Sequence, residues 1–215
     1  MDADNLDLIV RSRPTILEIL ENRGYDVGGY KGVSPDEIFK LAATSPTLLK
    51  IIAEAKPDGA APMKRAIVLY WVDGAYRHKV ETELRNYKEE GPDAFNPEDD
   101  ELVVLHAEPS HDSYHTEALH QWTRAKTRVG FFCLRNVISN PARHIFVPPH
   151  RKLSAEESTA LLVGLHLDSR TKLAHIKYHV DMQARVHGLV PGDIVEITRP
   201  SETCGEYVRY RVCVP

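Results

Sequence analysis

Apolar positions along the chain change period several times, and each change predicts an element. Ile16, Leu17, Ile19 and Leu20 recur at helical spacing after Pro14-Thr15, and Arg23-Gly24 closes that helix. Gly28-Gly29 and Gly32 predict a loop. Ser34-Pro35-Asp36-Glu37 predicts a helix start, with Ser34 as N-cap and Pro35 at the first position. A second short helix is expected from Thr47 to Ala55. Two prolines and a glycine between Lys56 and Pro62 predict a linker or long turn. Buried strands are then expected at Ala66–Trp71, bounded by Asp73-Gly74, at Leu102–Leu105, and at Gly130–Leu134. Charged helices fall between them, at Val80–Glu90 and His111–Arg124, with an acidic loop over Gly91–Asp100. Strand–helix–strand–helix–strand implies a small α/β layer with some parallel strands.

The pattern restarts near Pro141. Phe146-Val-Pro-Pro-His150 is expected to be extended, because its prolines forbid helix. Ser154-Ala-Glu-Glu157 reads as a capping box opening a helix through Leu161, Leu162 and Leu165. Ile176–Val180 alternates like a strand, and Asp181 can cap a short helix ending at Gly188. Ile194–Thr198 and Tyr207–Val214 predict two strands joined by a loop that starts at Arg199, with Pro200 outside the ladder and Gly205 at positive φ. The expected fold is mixed α/β. It has an N-terminal α/β domain over residues 1–142 and a small C-terminal α/β domain over 143–215 that ends in a β-hairpin.

The 215 residues suit one large domain or two small ones. No apolar run approaches the roughly 20 residues that span a bilayer, so no membrane role is expected. The acidic start, Met1 to Asp7, resembles no secretory or transit segment. Cys133, Cys204 and Cys213 lie far apart, which suits a reducing compartment and argues against a zinc ribbon. Residues 147–215 hold nine Lys+Arg and eight Asp+Glu, net +1, and the remainder is net −5. Autonomous DNA binders draw most of their affinity from neutralising phosphates, so neither part is expected to hold DNA alone.

Candidate chemistry is sparse. His111 and His115 have the i, i+4 spacing of a two-ligand helix face, but no glutamate follows the first and no third ligand is signalled. His175 and His179 fall on an expected strand, too far apart for one metal. Pro35-Asp36 followed by Glu54-Ala-Lys56 fits the short signature of restriction-type, Mg²⁺-dependent nucleases. Those residues are expected to open one helix and end another, rather than converge from a strand on a metal. No phosphate loop, nucleophile elbow or paired-cysteine site is present. No catalytic residue, metal or cofactor is therefore expected, and an assembly part is favoured over an enzyme.

Longer motifs lie near the end: Phe146-Val-Pro-Pro-His150, Leu153-Ser-Ala-Glu-Glu157, Gly188-Leu-Val-Pro-Gly192, then Arg199-Pro-Ser-Glu-Thr203 with Gly205, Tyr207, Tyr210 and Arg211. This succession resembles the C-terminal domain of the eukaryotic fifth-largest RNA polymerase subunit, which nuclear polymerases I, II and III share, and equally its small archaeal counterpart. Arg23-Gly24-Tyr25 and Glu108-Pro109-Ser110 resemble parts of the eukaryotic form's N-terminal jaw domain, which the archaeal counterpart lacks. The chain departs from the family at Asp181-Met-Gln-Ala184 and at Val190-Pro-Gly-Asp193, where a basic pair is usual. A large DNA virus encoding its own polymerase would suit that divergence.

The resemblance implies a non-catalytic subunit of a multisubunit DNA-dependent RNA polymerase. Arg199, Ser201, Glu202, Thr203, Gly205, Tyr207, Tyr210 and Arg211 would face the largest subunit, with other polymerase subunits nearby. The N-terminal domain would form part of the lower jaw. Pro109, Ser110 and His111 would approach downstream DNA only within the complex. A homo-oligomer is not expected. The location would be the nucleus, or a viral factory or virion if virus-encoded. The alternatives are the nuclease above and a free-standing transcription adaptor.

Overall fold

The computed structural model describes residues 2–57, 61–72, 74–87 and 95–215, without the side chain of Asn86. Met1, Asp73 of the expected Asp73-Gly74 turn, and parts of the expected Lys56–Pro62 linker, Val80–Glu90 helix and Gly91–Asp100 loop lie outside the described residues. The chain forms two compact units, Met1–Asn140 and Pro141–Pro215. Among the described residues no helix is long and apolar enough to cross a membrane.

In the first unit, helix α1 runs Ala3–Asn22 and begins well before the expected start, with Pro14 inside it. Proline removes one helical hydrogen bond and crowds the preceding turn. The helix continues because one apolar stripe persists on both sides of it: Leu6, Ile9, Ile16, Ile19 and Leu20 are all buried. Arg23-Gly24 closes it as expected. Gly24 takes φ 96°, its N–H bonds Glu21 O at 3.0 Å, and Tyr25 N–H reaches Leu20 O at 3.1 Å. That is a Schellman closure, which favours glycine at the left-handed position.

Helix α2 (Gly28–Lys31) is a single turn where a loop was expected. Helix α3 (Pro35–Thr44) carries the capping box formed by Ser34 and Glu37. The helix expected over Thr47–Ala55 is not formed. A 3-10 turn, Pro46–Leu49, leads instead into strand β1, Ile51–Glu54. Ile51 and Ala53 are fully buried, so pairing with a neighbouring strand overrides the weak helical pattern of a short apolar run.

Strands β2 (Arg65–Trp71), β3 (Asp100–His106) and β4 (Arg128–Cys133) lie parallel, and β1 adds antiparallel to β2, giving the order β1-β2-β3-β4. Helix α4 spans Val80–Asn86 and α5 spans Asp112–Ala125. Every residue of β3 is buried, as a central parallel strand requires. Asp100 and Glu101 sit in it only because each has a cationic partner. Arg65 grips Asp100 through two bonds, 2.8 and 2.7 Å. Arg23 pairs with Glu101, which also accepts from Tyr25 Oη at 2.9 Å. A buried carboxylate without such partners would be prohibitive.

In the second unit, Phe146 and Val147 of the segment expected to be extended lie in a turn, Pro148 and Pro149 belong to no helix, strand or turn, and His150 begins strand β5, His150–Lys152. Helix α6 (Ala155–Gly164) opens with the expected capping box: Glu157 N–H donates to Ser154 Oγ at 3.1 Å and Ser154 N–H to Glu157 Oε2 at 2.8 Å. Strand β6 is Ala174–Lys177, starting two residues before and ending three before the strand expected at Ile176–Val180. His179 lies beyond it with φ 57°, so the 175/179 pair does not share a strand. Asp181 caps helix α7 (Met182–Val186). Strands β7 (Ile194–Ser201) and β8 (Gly205–Val214) complete a second sheet of order β5-β7-β8-β6. The mixed α/β class read from the alternation of elements holds in both units.

Pro200 is inside the ladder, opposite Glu206, and not outside it as expected. The alternation of an antiparallel pair explains why. Thr198 N–H points away from β8 and donates to Pro149 O at 3.1 Å. Two residues on, Pro200 turns its nitrogen to the same side, beyond the end of β5, where no ladder bond is lost.

Candidate functional site

The terminal hairpin holds all eight residues singled out in the last segment. The ladder continues to Ser201 opposite Gly205, leaving Glu202, Thr203 and Cys204 as a three-residue loop. Gly205 takes φ 76°, the left-handed geometry that such a return favours. Residues directly opposite each other share a sheet face. Arg199 faces Tyr207, Val195 faces Arg211 and Ser201 faces Gly205, so these positions lie on one side. Tyr210 is opposite Glu196 and lies on the other. The expected interface set is thus split between two faces.

The two faces differ in chemistry. On the Tyr210 side, Glu196 accepts from Tyr210 Oη at 3.3 Å and from Arg151 Nε at 3.1 Å, and Arg151 also reaches Glu157 of α6 at 2.7 Å. Burial and then the Glu196 charge hold the Tyr210 phenol above its ordinary pKa. On the Arg199 side, Arg209 stands 5.4 Å from the Tyr207 ring centroid, and Arg211 Nη1 donates to His175 O at 2.6 Å. His150, opposite Ile197, shares this face. Burial, with the Arg199 and Arg211 charges adding to it, keeps the His150 pKa below its ordinary value. Arg209 and His150 were missed from sequence. The i, i+2, i+4 run Tyr207-Arg209-Arg211 was the available signal, given the strand.

The other singled-out residues, Pro109, Ser110 and His111, are exposed and follow the carboxyl end of β3. Loops at the carboxyl ends of parallel strands commonly carry function. Here the loop is anchored by Glu108. Its Oε2 accepts from Tyr76 N–H at 3.0 Å, Arg77 N–H at 2.9 Å and Tyr114 Oη at 2.6 Å. Burial opposes the Glu108 charge, but these three donors and the nearby Arg77 charge outweigh it and lower its pKa. Burial and then Glu108 push the Tyr114 phenol well up. The His106 ring stacks on Tyr114 with centroids 4.1 Å apart, and its Nδ1 lies 2.9 Å from Glu108 O. His111 caps α5, its Nδ1 accepting from Ser113 N–H at 3.2 Å.

Asp36 sits in the first turn of α3, as expected, but Glu54 ends strand β1 instead of a helix. Glu54 borders a shallow hollow with Lys64, Arg65, Asn96 and Asp99, of which Asp36 is not a member. Lys64 pairs with Asp99 at 2.8 Å, and Arg65 with Asp100. Among the described residues no group of three or more His, Cys, Asp or Glu side chains could hold a metal ion.

Residues 139–213 match the family model described as RNA polymerase Rpb5, C-terminal domain. The chain is 26% identical over 213 residues to the rpabc1 subunit of DNA-directed RNA polymerases I, II and III of Dictyostelium discoideum, covering 98% of this chain and all of that one. It is 44% identical over 75 residues to RNA polymerase subunit Rpo5 of Pyrococcus abyssi, which is 35% of this chain and 89% of that protein. The corresponding subunit of Caenorhabditis elegans is 39% identical over 83 residues, covering 39% of this chain and 38% of that protein. The class is that of subunits of multisubunit DNA-directed RNA polymerases. Within it, the chain belongs to the family of Rpb5 and Rpo5, the common fifth-largest subunit.

Proposed function

We propose that the chain is a non-catalytic subunit that docks through its second unit on the largest polymerase subunit. The observation that carries this is the extent of the Pyrococcus match. That relative, itself named a polymerase subunit, is 89% accounted for by 75 residues of this chain, and the family match falls over 139–213. The likeness to a polymerase subunit is thus concentrated in a stretch that the second unit nearly fills, which supports docking through that unit. The unit has surface to offer. Helix α6 buries only Ser158, while Ile145, Phe146, Val163 and Leu165 are exposed, the first two more than 80%. Exposed apolar groups of this size mark contact surfaces.

The non-catalytic part of the reading is supported by how the buried carboxylates are occupied. The buried Asp100 and Glu101 and the half-buried Glu108 are each taken up by cations or hydrogen-bond donors of the same unit, and the buried Glu117 accepts from Gln121 Nε2 at 2.6 Å, so each of the four has a partner already. The first unit serves as the jaw-like part, and the Glu108-anchored loop carries Pro109, Ser110 and His111 toward downstream DNA within the assembly. The location that follows is the nucleus.

The test is purification of the tagged chain through a high-salt wash, with mass spectrometry and a photocrosslinker at position 110. Equimolar large polymerase subunits, and crosslinks to DNA only in the transcribing complex, are expected. Substoichiometric recovery would favour an adaptor. Mg²⁺-dependent DNA cleavage by the isolated chain, lost in Glu54→Ala, would establish the nuclease instead.

A further inference from the structure

The antiparallel register gathers three guanidinium groups on one face of the hairpin. Arg199, Arg209 and Arg211 occupy positions opposite Tyr207, Ile197 and Val195, so all three project to the same side. Neighbours of this kind sit about 7 Å apart along or diagonally across a sheet. No carboxylate among the described residues forms an ion pair with any of them. Arg211 is spent on a neutral carbonyl, His175 O, and Arg209 lies over the Tyr207 ring. The acids within the two strands are turned away: Glu196 and Glu206 pair with Tyr210 and Pro200 on the opposite face, and Glu196 is already held by Arg151, while Glu202 sits in the tip loop without an ion pair to these arginines. Arg199 and Arg209 are exposed, and Arg199 and Arg211 together disfavour protonation of His150 on the same face. The strands thus separate charge: toward the tip, Arg199 and Arg209 form no ion pair among the described residues, whereas nearer the base of this face Asp193 pairs with Lys152 and Asp181 opposes the arginines at His150.

We propose that this Arg199–Arg209–Arg211 face receives an acidic stretch, two or more Asp or Glu side chains, of the polymerase subunit on which the second unit docks. The inference rests on the docking reading above and names the chemistry of its partner. Guanidinium forks bind carboxylates bidentately, which gives such a contact geometry as well as charge. Nucleic acid is the poorer fit. Residues 147–215 carry a net charge of only +1, and phosphate binding needs a broad excess of cations.

The experiment uses the full-length chain and its purified polymerase. Wild type, R199E/R209E, R199K/R209K and the equal-charge control K172E/K177E are compared for retention on immobilised polymerase across a NaCl series. Circular dichroism checks folding. The R199E/R209E variant is expected to bind at least about tenfold more weakly and with a flatter salt dependence, while the control binds like wild type. Zero-length carbodiimide coupling of R199K/R209K is expected to join positions 199 and 209 to acidic residues of a large subunit, a readout that survives if the Glu variant misfolds. Wild-type retention and salt slope in R199E/R209E, equal weakening by the control, no crosslink to a polymerase subunit, or retention abolished by nuclease would each overturn the proposal. A wild-type chain that is not retained at all would instead remove the docking reading beneath it.

Discussion

Replacing Glu108 by alanine tests whether one carboxylate organises the loop that carries Pro109 to His111. The side chain accepts from three donors of unequal exposure. The N–H groups of Tyr76 and Arg77 lie on half-buried and exposed residues, so water can replace much of what they lose, about 0.5–1 kcal/mol each. Tyr114 is only 1% exposed, and its hydroxyl would be stranded at a further cost of about 1–3 kcal/mol. The sum is roughly 2–5 kcal/mol. Both tryptophans, Trp71 and Trp122, lie in the first unit, so their fluorescence during urea unfolding reports that unit alone. Tyr114→Phe removes the hydroxyl without stranding it and should cost about 1 kcal/mol. In a double-mutant cycle the two changes should couple by at least about 1 kcal/mol. Additive effects would refute the claim that the carboxylate and phenol act together. The pH dependence has a definite sign. Because the Glu108 pKa is lowered from 4.5 on folding, its contribution is fully present above that value. It should fade as pH falls through the lower folded value, a fading absent in Glu108→Ala.

Arg23→Ala should destabilise the first unit by about 3–5 kcal/mol, since it leaves Glu101 charged and buried; tryptophan-detected unfolding would measure it. Ser154→Ala should cost the second unit about 1 kcal/mol through loss of its cap, read by circular dichroism of thermal unfolding. Of the three thiols, only Cys204 should react promptly with a disulfide reagent in the native chain. Cys133 and Cys213 are buried, and burial pushes the Cys213 pKa up to about 12. Mild proteolysis should accumulate a resistant fragment beginning near Pro141, and its absence would count against two separately stable units.

Local signals were legible where a single residue type performs a local task. Both Ser–x–x–Glu boxes form as written, at Ser34 and at Ser154, because a hydroxyl and a carboxylate three residues apart satisfy helix-end donors in any context. The family motif led directly to the hairpin. What could not be read depended on partners distant in sequence. Ile51–Glu54 became a strand because β2 offered an open edge. Helix α1 survived Pro14 because neighbouring elements, α3 and the turn at Leu134–Val137 foremost, pack against it and keep its apolar stripe buried. The division of Arg199 from Tyr210 required the register, which a loop assumed to start at Arg199 concealed. Glu108 stood beside the expected loop, but nothing in its neighbours announced the bonds from Tyr76 and Arg77, which come from the other side of β3 in sequence.

Pro200 has a consequence for how chains of this kind avoid one another. The hairpin reaches past the end of β5, so the outer rim of β7 near its tip is unaccompanied. An exposed rim of that sort invites a foreign strand to add on and, repeated from molecule to molecule, seeds aggregates. At Pro200 an incoming strand would find a ring where it needs a donor, and could not zip along the rim without a gap. Along that rim of β7, a subunit waiting for its complex is a poor template for a second copy. Whatever meets that rim must recognise it chiefly by side chains, since its backbone pairing is broken at Pro200.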